Sequence, residues 1–112
     1  MSQITTHILD TSQGKPARGI TITLLRQSGN EWKELAAGIT NSDGRITELL
    51  PKEFVLDRGN YKLHFATAPY FSKDGIESFY PYVEIVFAVS TEEHYHVPLL
   101  LTPHGYSTYR GS

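Results

Sequence analysis

Five histidines, His7, His64, His94, His96 and His104, stand out in a chain of 112 residues that has no cysteine. An imidazole titrates near neutral pH, so it can take a proton from water and return it to a leaving nitrogen. The run His94-Tyr95-His96-Val97-Pro98-Leu99-Leu100 has strand character, and alternation puts His94 and His96 on one face. His7 lies near the other terminus in Thr6-His7-Ile8-Leu9-Asp10, and nothing in the spacing brings it to His96. Arg45 follows the turn Asn41-Ser42-Asp43-Gly44. It reads either as a solvated turn arginine or as a planar, permanently charged fork for carboxylate-like oxygens. The chain closes on Gly105-Tyr106-Ser107-Thr108-Tyr109-Arg110-Gly111-Ser112. Its Tyr and Thr residues predict an ordered strand at an end that would otherwise fray. Ser112 adds a hydroxyl and the terminal carboxylate.

Two other chemistries compete for these groups. His-x-His on a strand is a common Zn or Cu pair, with His7 as a possible third ligand. Against it, no Asp or Glu shares the face of His94 and His96, and Glu92 and Glu93 fall in a turn before it. We therefore expect no metal and no cofactor. A serine-hydrolase triad is disfavoured because the chain has no Gly-x-Ser-x-Gly elbow.

Short β-type runs separated by turn residues must position these side chains, the pattern of a sandwich or barrel. Ile20, Ile22 and Leu24 fall on one face of a strand, as do Tyr61, Leu63 and Phe65 of another and Val83, Ile85, Phe87 and Val89 of a third. Tyr95, Val97, Leu99 and Leu101 point inward from the His-x-His strand, which leaves His94, His96, Pro98 and Leu100 outside. Pro98 allows an edge strand that resists aggregation. The apolar outward positions favour a subunit interface lined by the histidines. One short helix is predicted over Ala68–Asp74, with Thr67 as its cap, Pro69 in its first turn and Gly75 as its stop. Asp10, Thr11 and Ser12 read as turn chemistry.

The length predicts one domain over residues 1–112. Absence of Cys removes disulfides and thiol nucleophiles and fits a reducing compartment. A net charge of -2 and a pI near 6.2 leave no basic footprint for nucleic acid. No apolar run approaches the ~20 residues of a membrane helix. Met1-Ser2-Gln3-Ile4 lacks signal-peptide character, so we expect a cytoplasmic protein, or a periplasmic one if a precursor was trimmed.

Taken together, Thr6-His7-Ile8-Leu9-Asp10, His94-Tyr95-His96 and the ending Tyr109-Arg110-Gly111-Ser112 resemble the 5-hydroxyisourate hydrolases, the enzymatic branch of the transthyretin family. The ending is the most specific part. The resemblance implies a mainly β, transthyretin-like (prealbumin-like) two-sheet β-sandwich with one short α-helix. It also implies metal-independent opening of the lactam ring of 5-hydroxyisourate, and a homotetramer with its sites at the dimer–dimer interface. Carried over by position, His7, Arg45, His96 and Ser112 are catalytic, and His7, Arg45, Tyr109 and Arg110 bind substrate. The phenol of Tyr109 can donate or accept, and its ring can cover a flat heterocycle. A transthyretin-like carrier of a small hydrophobic ligand is the rival reading, and a structural sandwich domain the third. A carrier needs apolar walls where this chain puts imidazoles and a guanidinium.

Overall fold

Two four-stranded sheets make up the computed structural model, which describes residues 2–112. The chain runs β1 (Ile4–Asp10), β2 (Lys15–Pro16), β3 (Thr21–Ser28), β4 (Glu31–Ile39), β5 (Gly59–Phe65), α1 (Thr67–Ser72), β6 (Val83–Val89), β7 (Tyr95–Thr102) and β8 (Gly105–Thr108). One sheet has the order β2-β1-β7-β8 and the other β4-β3-β5-β6. The first is anchored by a parallel pairing of β1 with β7, which joins the two ends of the chain.

The predicted apolar faces become the space between the sheets. Ile22 pairs with Phe65 and Leu24 with Leu63, while Val83, Ile85 and Phe87 continue the layer opposite Phe65, Leu63 and Tyr61. Facing them, Ile4 pairs with Tyr95, Thr6 with Val97 and Ile8 with Leu99. All of these but Ile85 and Phe87 are buried, and those two are packed against the core at its margin. Each buried Ile or Leu contributes about 1.5–3 kcal/mol relative to an exposed one. Because side chains alternate, burying this set turns Thr5, His7 and Leu9 of β1 to the outer face, beside His96, Pro98 and Leu100 of β7.

β7 lies between β1 and β8, so Pro98 does not mark an edge strand. Its effect is on the strand beside it. The β7–β8 ladder pairs Leu99 with Thr108, and an isolated bridge pairs His96 with Gly111 in the same register. Tyr109 thus falls opposite Pro98, which has no N–H to give it. The Pro98 carbonyl accepts from Thr108 Oγ1 instead (2.7 Å). Contrary to the expectation of a strand running to the end, β8 stops at Thr108, and Tyr109 and Arg110 leave the ladder before Gly111 rejoins it.

The helix also differs from its predicted bounds. It starts at Thr67, which is buried inside it and caps nothing; Ala66 is the capping residue, and its methyl group makes no capping hydrogen bond. The Ala66 N–H is tied to Thr21 O (3.0 Å), which fixes the entry. Burial of Thr67, Tyr70 and Phe71 holds this short segment in place of a polar cap. It ends at Ser72, two residues before the predicted Asp74, as the Ile76 N–H returns to Phe71 O (3.1 Å).

Asp10 is fully buried at the end of β1 and fully occupied. Its Oδ1 accepts from the Ser12 and Gln13 N–H groups and the Ser12 hydroxyl, and its Oδ2 from Gln13 Nε2 and Tyr70 Oη. This is the turn chemistry expected of it. Burial pushes the carboxyl up, but the bonds from Ser12, Tyr70 and Gln13 outweigh burial and hold it below its ordinary 3.8. Asp10→Asn, which sets an amide among these donors, is expected to lower stability by about 1–3 kcal/mol in urea denaturation at neutral pH. A depressed carboxylate stabilises the fold above its unfolded-state pKa and loses that contribution as pH falls through the folded value. The gap between wild type and variant should therefore close below pH 3.8.

Candidate active site

The site is assembled on the outer face of the β1–β7 pair. Thr5 and His96 are register partners, and His7 sits two residues further along β1, opposite Pro98. Arg45 arrives on a loop folded against β1. Asn41 Oδ1 accepts from the Asp43 and Arg45 N–H groups (2.9 and 3.1 Å), which closes the turn. Gly44 O then takes the Ile8 N–H (2.9 Å), and His7 and Arg45 form a β-bridge. Gly44 has φ +74°, and a Cβ on it would lie 2.4 Å from Ile8 O. Only glycine supplies both that conformation and that approach.

Across this bridge Arg45 Nη2 donates to His7 Nδ1 (3.3 Å). A ring nitrogen that accepts from a guanidinium carries no proton, so His7 is held neutral with its hydrogen on Nε2. Burial, followed by the charge of Arg45, keeps the His7 pKa below 6.5, while the backbone and carboxylate of Asp43 pull the other way. Burial and Arg45, with smaller effects from His94 and His7, depress His96 too. Both imidazoles are therefore uncharged at neutral pH and free to receive a proton.

The chain's end completes a cleft of about 460 Å³, lined by Thr5, Arg45, His94, His96, Tyr109, Gly111 and Ser112. Gly111 N–H donates to His96 O (2.8 Å). A Cβ on Gly111 would stand 2.5 Å from His96 Cδ2, so the ring and the tail fit only if this residue is glycine. Gly111→Ala is expected to cut kcat/KM about 10-fold or more by moving the ring and tail apart. Its denaturation midpoint should stay near wild type, since the contact lies outside the core.

Of the residues singled out in the sequence, Arg45, His96, Tyr109 and Ser112 share this cleft, and His7 flanks it through its bond to Arg45. Arg110 does not line it. Its guanidinium donates to Glu93 (2.7 Å) and lies 4.5 Å over the Tyr95 ring, in a neighbouring slot. Where the tail leaves the ladder beside Pro98, Tyr109 lines both the cleft and that slot, while Arg110 lines the slot alone and pins the tail to the start of β7. Sequence reading passed over Thr5, Gly44 and Gly111. Thr5 could have been found, because alternation puts it on the face of His7. The glycines act through close approaches that carry no pattern in the sequence. Among the described residues, no group of three or more His, Cys, Asp or Glu is arranged to hold a metal ion, and no helix is long and apolar enough to cross a membrane.

The profile of the HIUase/Transthyretin family matches residues 4–111. The chain belongs to the HIUase/Transthyretin family. Within it, the chain is 48% identical to 5-hydroxyisourate hydrolase of Mus musculus over 114 residues, covering 99% of this chain and 96% of the relative. The structure of Klebsiella pneumoniae 5-hydroxyisourate hydrolase superposes with a TM-score of 0.85 at 39% identity, covering 97% of this chain and 98% of that one. Sea bream transthyretin in complex with thyroxine superposes with a TM-score of 0.90 at 28% identity, covering 97% and 94%. The backbone of this family is thus common to the hydrolase and the thyroxine-bound protein. The side chains in the cleft have to distinguish the two.

Proposed function

We propose that this chain is a 5-hydroxyisourate hydrolase acting in urate (purine) breakdown, with residues 1–112 as a single hydrolase domain. It opens the lactam ring to give 2-oxo-4-hydroxy-4-carboxy-5-ureidoimidazoline. The carrying observation is the convergence of Arg45, His96, Tyr109 and Ser112 on one cleft with His7 bonded to Arg45, in a chain 48% identical to the mouse enzyme of that name.

Water attacks the lactam carbonyl carbon, the ring C–N bond breaks, and the departing nitrogen takes up a proton. His96 receives the proton from water and returns it to that nitrogen. His7, with its hydrogen on Nε2, and Arg45 face the carbonyl oxygen as its negative charge develops. Tyr109 covers the ring, and Ser112 adds a hydroxyl at the rim. The contribution of Arg110 is to hold the tail. No cofactor enters this scheme.

A cleft open on a sheet face admits bulk water, which weakens each of these electrostatic interactions. Together with Leu9 and Leu100, which stay half-buried on the outer face while Pro98 is already buried within the chain, this supports a homotetramer in which the dimer–dimer interface covers the site. Light scattering should give about four times the chain mass of 12.6 kDa. A fully active monomer would refute that assembly. The Cys-free composition fits the cytoplasm.

The alternative, a transthyretin-like carrier of a small ligand without hydrolytic activity, has the sea bream superposition in its favour. The cationic and imidazole lining opposes it. Fresh 5-hydroxyisourate followed by ultraviolet absorbance decides between them. Only the enzyme hastens the decay beyond its spontaneous rate.

A further inference from the structure

One hydroxyl in the site touches two imidazoles. Thr5 Oγ1 lies 2.8 Å from His96 Nδ1 and 2.7 Å from His94 Nε2. The two rings stack at 6.2 Å between centroids with 26° between planes, so the three groups form a short row along the cleft wall. Thr5 is held in this place by the β1–β7 ladder, where it is the register partner of His96.

A threonine hydroxyl has a single hydrogen and can donate to only one of the two rings. Were it to donate to His96 Nδ1, the proton of neutral His96 would reside on Nε2, and the cleft-facing nitrogen could not take a proton from water. Were it to donate to His94 Nε2, Nδ1 of His96 would carry the hydrogen and donate to Thr5, leaving Nε2 bare.

We propose that Thr5 and His94 are positioning residues which, through the chain His96 Nδ1–H to Thr5 Oγ1–H to His94 Nε2, hold His96 in the tautomer whose Nε2 is free to act as the base. Neither needs to touch the substrate. The choice between the two orientations rests on the hydrolase reading, which needs a bare Nε2 on His96, whereas the Thr5 bridge between the rings does not. The tautomer itself is a property of the free protein. The stem of Thr5 adds β-branched stiffness, so the hydroxyl is presented in one direction.

The test pairs ¹⁵N-imidazole NMR of the substrate-free protein with kinetics on Thr5→Val, Thr5→Ser and His94→Asn. At about pH 7.5, above the ordinary imidazole range, wild-type His96 should show its hydrogen on Nδ1. Thr5→Val, which keeps the shape and loses the hydroxyl, should mix the two His96 tautomers. It should also lower kcat about 10- to 100-fold, the size of effect seen when the partner that orients a metal-bound histidine is removed. KM should move by no more than about 3-fold, because no substrate contact is lost. Thr5→Ser should restore both the tautomer and the rate, and His94→Asn should fall between. A wild-type His96 protonated on Nε2 overturns the proposal, as does a folded Thr5→Val with an unchanged tautomer or unchanged kcat. Should Thr5→Val fail to fold, the wild-type spectrum and Thr5→Ser still decide. Wild-type protein that fails to hasten 5-hydroxyisourate decay refutes the hydrolase assignment and leaves the NMR result to stand by itself.

Discussion

His96→Asn lowers kcat/KM for 5-hydroxyisourate by about 10²- to 10⁴-fold, the range by which a positioned proton-transfer group accelerates such reactions. The substitution isolates one nitrogen. An asparagine side chain can still reach Thr5 Oγ1, where His96 Nδ1 now lies at 2.8 Å, and the Gly111 N–H bond to the main-chain carbonyl is unaffected. What disappears is the group facing the cleft that can accept a proton near neutral pH. Urea denaturation should therefore give a midpoint near that of wild type, and most of the loss should appear in kcat. A folded His96→Asn protein with near-normal turnover contradicts the assignment of this residue as the base.

Arg45→Met has the second large effect. It removes the donor that the proposed mechanism aims at developing negative charge, a change that costs about 10²- to 10³-fold in kcat at comparable sites. It should also shift the pH profile, which a merely structural arginine would not do. Both His7 and His96 are held below 6.5 by burial first and by the charge of Arg45 second. The active form has neutral imidazoles, so activity falls as pH drops through their pKa values. Deleting the guanidinium raises both, so the acid limb of kcat/KM should move to higher pH. Arg45→Lys keeps the charge but not the fork and should retain the wild-type acid limb with reduced kcat. An acid limb that stays in place in Arg45→Met would show that this charge is not sensed by the two histidines.

These two predictions draw on residues whose importance was legible in the sequence to different degrees. Strand alternation assigned faces well, since burying one face of a strand is the main way it is stabilised. Ile22, Leu24, Tyr61, Leu63, Phe65, Val97 and Leu99 all point into the core as expected. Alternation also placed His94 and His96 together on the outer face. It could not say that Arg45 would bridge to His7, because that depends on Gly44 closing onto Ile8 O across a long stretch of chain. Only the likeness to a known family linked them. For Arg110 the likeness suggested a substrate contact, whereas the side chain is taken up by Glu93 and Tyr95. Its position in the motif was clear, but the direction of its side chain depends on where Pro98 breaks the ladder.

By itself the sequence determined the β class, the inward and outward faces and the family, since each follows from local residue order or from motifs a few residues long. Tertiary structure alone decided that β1 lies parallel to β7, that Thr5 stands between two imidazoles, and that Tyr109 reaches the cleft while Arg110 does not. A two-residue period tells which way a side chain faces but not which strand is its neighbour or in what register. Those are settled by packing two apolar sheet faces together, and that packing carries β1 to β7 across nearly the whole chain.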